Sequence, residues 1–303
     1  MSHDHLNRVL TSINSIIIGK TQQVKLAMSC LLAGGHLLIE DVPGVGKTTL
    51  SHTLAKTLGL SFNRIQFTSD MLPADILGVA IFNRDSHEFS LHKGPIFTQM
   101  ILADEVNRAT PRTQSALLEA MEEHQVTIEN ETYNLPDPFF IIATQNPNNQ
   151  LGTYPLPESQ LDRFLMRIKL GYPDAKAERD LLLGQDRKQM VNNLAASITL
   201  EQLHEIQHDV TQVHVSESLV DYIQKILNTT RESEQFEYGL SPRAGLALVH
   251  AAKAWAFIEQ HNQVLPEDVQ AVLPYVISHR LQLRNQAVMA DVISELISDI
   301  NLL

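Results

Sequence analysis

The chain has a single cysteine, Cys30, in 303 residues, which excludes an internal disulfide and fits a reducing cytoplasm. It also lacks any apolar run long enough to span a membrane. The stretch LLAGGHLLI falls well short of the roughly 20 residues a bilayer demands. The opening MSHDHLNRVL has none of the basic, apolar and small-residue regions of a signal peptide, so a cytoplasmic location is expected. From 113 to 162 there is no Lys or Arg, while Glu119, Glu122, Glu123, Glu129, Glu131, Asp137, Glu158 and Asp162 are acidic. Together with a net charge of −12, this argues against a general nucleic-acid binder, since phosphate backbones demand cations. Internal repeats and low-complexity segments are absent.

What remains is ordinary for a soluble globular protein: 44% hydrophobic and 19% charged residues, with length for two domains, each with its own core. The informative segment is HLLIEDVPGVGKTTL, from His36 to Leu50. An apolar strand runs into a Gly-rich turn and then into Lys47, Thr48 and Thr49, which is how a phosphate cradle is built. Small residues let backbone N–H groups point at an anion, and a helix starting there aims its positive end at the phosphates. Lys47 then reaches the β- and γ-phosphates, and the Thr48 hydroxyl sits on Mg²⁺. The strict pattern is not met, because Asp41 stands where the first Gly belongs; Asp tolerates unusual backbone angles better than most residues.

A second segment, IFTQMILADEVNRA, places Asp104-Glu105 after a short apolar strand. In a nucleotide-hydrolysing α/β fold, the first acid holds Mg²⁺ through its water shell and the second polarises the attacking water. A solvated acidic pair after any buried strand is the plain alternative; the phosphate loop upstream favours the catalytic one.

Strand candidates at 36–40, 62–67, 101–103, 139–143 and 164–170 alternate with helical stretches at 21–32, 49–58 and 112–122, the last with Thr110 as N-cap and Pro111 at the first helical position. This order predicts an α/β fold, a five-stranded parallel sheet covered on both faces with its ligand at the strands' carboxyl ends. Beyond Tyr172-Pro173-Asp174 helical periodicity takes over, at 174–183, 200–213, 217–230, 242–260 and 266–281. The expected division is a nucleotide-binding core over 1–172 and a smaller all-α domain over 173–303.

Through HLLIEDVPGVGKTTL, ILADEVNRATPRTQSALLEAMEE, FIIATQNPNNQLGTYPLPESQLDRF and LSPRAGLALVHAAKAWA, the chain resembles the MoxR branch of the AAA+ ATPases over nearly its whole length. Asp41 also looks like many members of that family. The resemblance implies an ATP- and Mg²⁺-dependent ATPase with a P-loop core and makes the all-α domain a helical lid, the whole working as a homo-oligomeric, hexameric ring. It makes Asn146 the sensor that orients the attacking water, Arg163 the arginine finger reaching a neighbour's γ-phosphate, and Arg243 a second sensor. A turn Asn before Pro147 and ordinary surface arginines are the plain alternatives. Ser241 suits an N-cap, so Arg243 falls in a helix's first turn, where a cation is unfavourable unless an anion is near. The nucleotide-binding set comprises Ile18, Gly19, Asp41, Val42, Pro43, Gly44, Val45, Gly46, Lys47, Thr48 and Thr49, with Thr48 and Asp104 on the metal.

Two segments, 71–95 and 125–138, read as hairpin insertions, which in such a ring would face the pore; plain surface hairpins are the alternative. The second has no basic residue, favouring a protein client over a nucleic acid. By resemblance the partner is a protein with a von Willebrand factor A domain, in chaperone-like maturation. A nucleic-acid motor and a nucleotide-gated module with negligible turnover are the competing classes.

One further motif competes. His204-Glu205-Ile206-Gln207-His208 satisfies H-E-x-x-H. Leu203, Ile206, Val210 and Val213 form the helix's apolar stripe, however, and both histidines point largely away from it toward solvent, whereas a catalytic zinc needs a third protein ligand and a partly dry cleft.

Overall fold

The computed structural model describes residues 1–83, 87–146, 152–184, 186–284 and 287–299. Its strands are β1 (Leu37–Glu40), β2 (Phe62–Gln66), β3 (Gly78–Asn83), β4 (Glu88–Lys93), β5 (Met100–Asp104), β6 (Gln125–Ile128), β7 (Glu131–Asn134), β8 (Phe140–Gln145) and β9 (Met166–Ile168). The first seven helices are α1 (Ser2–Ile16), α2 (Thr21–Leu32), α3 (Lys47–Leu58), α4 (Pro73–Leu77), α5 (Pro111–Glu123), α6 (Glu158–Leu161) and α7 (Ala175–Leu183). The rest are α8 (Arg187–Asn192), α9 (Leu200–Gln212), α10 (Glu217–Glu232), α11 (Pro242–Ile258), α12 (Pro266–Ile277) and α13 (Met289–Asp299).

Five strands form one sheet in the order β2-β5-β8-β1-β9, every neighbouring pair parallel. Successive side chains of a strand face opposite sides, and the packing follows that rule. Leu37, Ile39, Met100, Leu102, Phe140 and Ile142 enter one core, whereas Leu38, Ile101, Ala103, Ile141 and Ala143 enter another. Strands buried on both faces must be apolar at nearly every position, as β5 and β8 are. The second core is closed by Leu117, Leu118 and Met121 of α5. The first takes in α1, α2 and α3 and continues without a break into α9, α10, α11 and α12. Among the described residues no strand follows β9.

The sheet and the later helices lie where the sequence pattern puts them. The last strand is shorter than its apolar run because the carbonyls of Phe164 and Leu165 are taken by side chains of the helical region: Phe164 O accepts from His279 and Arg280, and Leu165 O from Arg280. Thr110 stands at the N-cap of α5 without capping it, its hydroxyl lying 3.2 Å from that of Thr113. Five helices fall outside the stretches named from the sequence: α1, α4, α6, α8 and α13. In α1 the buried side chains Leu6, Val9, Leu10, Ile13 and Ile16 keep helical spacing. The 71–95 and 125–138 segments contain the two antiparallel hairpins β3–β4 and β6–β7, with 84–86 at the first tip outside the described residues. Val79, Ile81, Phe82 and Phe89 of the first hairpin are exposed.

His36 ties three elements together. Its Nδ1 accepts from the Ile141 N–H at 3.1 Å, so its Nε2–H donates to Met121 O at 3.1 Å. Burial holds its pKa down to about 4. An unfolded histidine takes up its proton near pH 6.5, so between those values the unfolded chain binds the extra proton. The stabilisation is fully present above about pH 6.5 and is lost as pH falls toward 4. Urea unfolding should therefore show a loss of stability from pH 7 to pH 5 that is about 2 kcal/mol smaller in His36→Gln than in the parent chain; equal losses would place the acid sensitivity elsewhere.

Candidate active site

The turn between β1 and α3 is shaped by Gly44 (φ +88°) and Gly46 (φ +98°). A Cβ would meet nothing at either position, so it is backbone conformation, not space, that calls for glycine. Lys47 opens α3 and is nearly buried. Its Nζ donates to Asp41 O at 2.6 Å and lies 3.4 Å from Asn146 Oδ1. Burial lowers its pKa, while the charges of Asp104, Asp41 and Glu105 oppose that shift.

Asp41 owes its place to hydrogen bonding and not to an unusual backbone angle, since its φ is not positive. Its Oδ1 accepts from Val42 N at 2.8 Å and its Oδ2 from Gly171 N at 2.6 Å. A glycine there would leave the loop unattached to the segment that follows β9.

Across the cavity, Asp104 ends β5 and Glu105 follows it with φ +57°, a left-handed conformation uncommon for a side chain of its size. Thr144 of β8 holds both in place: its hydroxyl donates to Asp104 Oδ1 at 2.5 Å and accepts from Glu105 N at 2.9 Å. Arg64 Nη2 donates to Asp104 Oδ2 at 2.7 Å. Glu105 Oε1 accepts from Asn146 Nδ2 at 3.0 Å, and its Oε2 from Gln66 Nε2 and Arg108 Nη1, each at 2.9 Å.

The loop residues Pro43, Gly44, Gly46, Lys47, Thr48 and Thr49 share a cavity of about 570 Å³ with Arg64, Gln66, Asp104, Glu105, Arg108 and Asn146. Four of the predicted catalytic residues, Lys47, Asp104, Glu105 and Asn146, are thus brought together. Arg64, Gln66, Arg108 and Thr144 escaped the sequence reading. The signal available was Arg64 and Gln66 at alternate positions near the end of a strand, on one face. Pro147, after Asn146, is outside the described residues.

Arg163 and Arg243 lie elsewhere, in a second cavity of about 280 Å³. Arg163 Nε is 3.0 Å from Glu122 Oε2, and Arg243 Nη2 is 3.1 Å from Glu122 Oε1. As expected, Ser241 caps α11, accepting from Ala244 N at 3.2 Å. Ile18 and Gly19 fall in the turn between α1 and α2 and are not among the residues that line the phosphate cavity. Gly19 has φ +71° and abuts Ala177 of α7 so closely that a Cβ would come within 2.7 Å. On α9, Leu203, Ile206 and Val210 are buried, His208 is exposed, and His204 Nδ1 is 3.8 Å from Asp137. Among the described residues no three His, Cys, Asp or Glu side chains gather to hold a metal.

A parallel sheet with a phosphate loop after its first strand and a carboxylate pair at the end of β5, with β8 between the two, is the architecture of a P-loop ATPase core. The comparisons agree. Residues 36–166 match the ATPase family associated with various cellular activities (AAA), and residues 228–300 match an AAA lid domain. The uncharacterized protein YeaC of Bacillus subtilis is 45% identical over 285 residues, spanning 94% of this chain and 89% of its own length. Chaperone MoxR1 of Mycobacterium tuberculosis is 39% identical over 303 residues, spanning 96% of this chain and 79% of its own. A crystal structure of a candidate ATPase from Cytophaga hutchinsonii aligns with a TM-score of 0.90 at 37% identity, covering 99% of this chain and 95% of that one. The chain belongs to the MoxR family of AAA+ ATPases. Among the described residues no helix is long and apolar enough to cross a membrane.

Thr144 offers a direct check on the site's framework. Thr144→Val keeps the shape but strands the Glu105 N–H and one Asp104 oxygen, so urea unfolding should show a loss of about 1–3 kcal/mol. Thr144→Ser should recover most of it, and an unchanged midpoint in Thr144→Val would contradict the assigned bonds.

Proposed function

We propose that this chain hydrolyses ATP with Mg²⁺ and uses the cycle, in a ring of identical subunits, to remodel a partner protein. The observation that carries the reading is the convergence of Lys47, Asp104, Glu105 and Asn146 on the cavity fronted by the phosphate loop. ATP's β- and γ-phosphates lie on the loop N–H groups and Lys47. A water attacks the γ-phosphorus while Glu105 takes its proton, the bond to the β-phosphate oxygen breaks, and ADP and phosphate leave. Asn146, already bonded to Glu105, orients the water.

Thr48 and Asp104 both line this cavity, and a hydroxyl and a carboxylate are an oxygen-only pair that would suit Mg²⁺. When bound, that ion neutralises charge on the phosphates. The Asp104 oxygen bonded to Arg64 keeps a second lone pair, so the carboxylate could hold such an ion through its water shell without losing Arg64.

Arg163 and Arg243 are apart from the cavity of their own chain and share one face. That separation supports their acting on the γ-phosphate of a neighbouring subunit, hence a ring. The β3–β4 hairpin exposes Ile81, Phe82 and Phe89, and β6–β7 has no basic residue; both favour a protein client. A chaperone-like role agrees with the printed name of MoxR1, and the family resemblance supports a partner with a von Willebrand factor A domain. The expected division into core and lid near 172 belongs to this same reading.

Lys47→Ala should lose ATP binding, because it removes the main counter-charge to the β- and γ-phosphates. Glu105→Gln should bind ATP within a few-fold of the parent and hydrolyse it about 10²–10⁴-fold more slowly, since it acts on water in the chemical step. Calorimetry and phosphate release separate the two effects; equal loss of binding in both variants removes Glu105 from its role.

A further inference from the structure

Glu122 belongs to neither cavity function described above, yet it touches both displaced arginines. It sits in the last turn of α5, with a side chain about one-third exposed at 34%. Oε2 takes Arg163 Nε at 3.0 Å and Oε1 takes Arg243 Nη2 at 3.1 Å. An acid at a helix C-terminus and a cation at a helix N-terminus are each disfavoured by the helix dipole. Glu122 and Arg243 occupy those two wrong ends, so helix stability does not account for the pair. Asp162, 3.7 Å from Arg243 Nε, is already engaged by Arg280 at 2.6 Å. Without Glu122, Arg243 would be left to share Asp162 with Arg280, and Arg163 would lose its ion pair.

The grip on Arg163 is at Nε, which leaves its forked Nη1 and Nη2 pair for an outside anion, the geometry that guanidinium uses on phosphate. We propose that Glu122 is a positioning residue, holding Arg163 of the core and Arg243 of the helical region as one unit presented to a neighbour's γ-phosphate. This rests on the reading that both arginines serve the neighbouring subunit. A glutamine cannot replace it: its one carbonyl oxygen accepts from one arginine, and its amide meets the other donor to donor.

The test is hydrolysis in mixed assemblies. Glu122→Gln should bind ATP within about twofold of the parent and hydrolyse it at least tenfold more slowly. Adding Lys47→Ala subunits, whose arginine face is intact, should restore part of the activity, as it should for Arg163→Ala run in parallel. Combining Glu122→Gln with Arg163→Ala should cost less than the sum of the two single losses, since the pair through Arg163 is lost in both and only the hold on Arg243 remains to be lost. Rescue of Arg163→Ala without rescue of Glu122→Gln would overturn the proposal and leave the shared site standing. Failure of Arg163→Ala to be rescued, with mixed assembly confirmed by mass, would instead overturn the shared site. Glu122→Ala gives a second reading of the same kind, and parent-like turnover in either Glu122 variant would also overturn the proposal.

Discussion

The strand β8 lies between β1 and β5, and the chemistry of the site follows from that one placement. Parallel strands end on the same edge of a sheet, so the residues leaving β1, β8 and β5 meet there. Asn146, just past β8, bonds to Glu105 and stands within reach of Lys47. Thr144, near the end of the same strand, fixes the Asp104 carboxylate and the Glu105 backbone. A cation that is nearly buried and two carboxylates are held together in this small volume, and each is satisfied by a neighbour supplied from an adjacent strand.

A second network joins the sheet to the helices that follow it. Arg280, Asp162, Arg243, Glu122 and Arg163 form a chain of ion pairs that alternates in sign. Arg280, with a side chain only 5% exposed, donates to Asp162 and to the carbonyls of Asp162, Phe164 and Leu165. Such a buried cation is tolerable only because its donors are satisfied, and the backbone that satisfies them carries Arg163. The helical region therefore sets the position of the arginine face as directly as the sheet sets the position of the phosphate cradle.

Much of this was legible in the residue order. The apolar runs that became β1, β5 and β8 have no other use in a chain of this composition, and the Gly-rich turn and the Asp104-Glu105 pair state their chemistry locally. What was not legible depends on contacts distant in sequence. The reason for aspartate at position 41 is Gly171, whose N–H it accepts across the fold. Arg64 and Gln66 read as ordinary strand residues until β2 is seen beside β5. Glu122 read only as one acid of a stretch without Lys or Arg, because its two partners come from separate elements. Helix α1 escaped because its polar face outweighs the stripe at Leu6, Val9 and Ile13.

The central claim is that the catalytic site is completed between subunits. It is tested most directly by phosphate release per chain, measured over a dilution series at saturating ATP and Mg²⁺ while mass measurement follows assembly. The account predicts that turnover per chain rises with protein concentration in step with ring formation and falls toward zero for the dissociated subunit. Turnover per chain that stays constant from fully assembled to fully dissociated protein would contradict it.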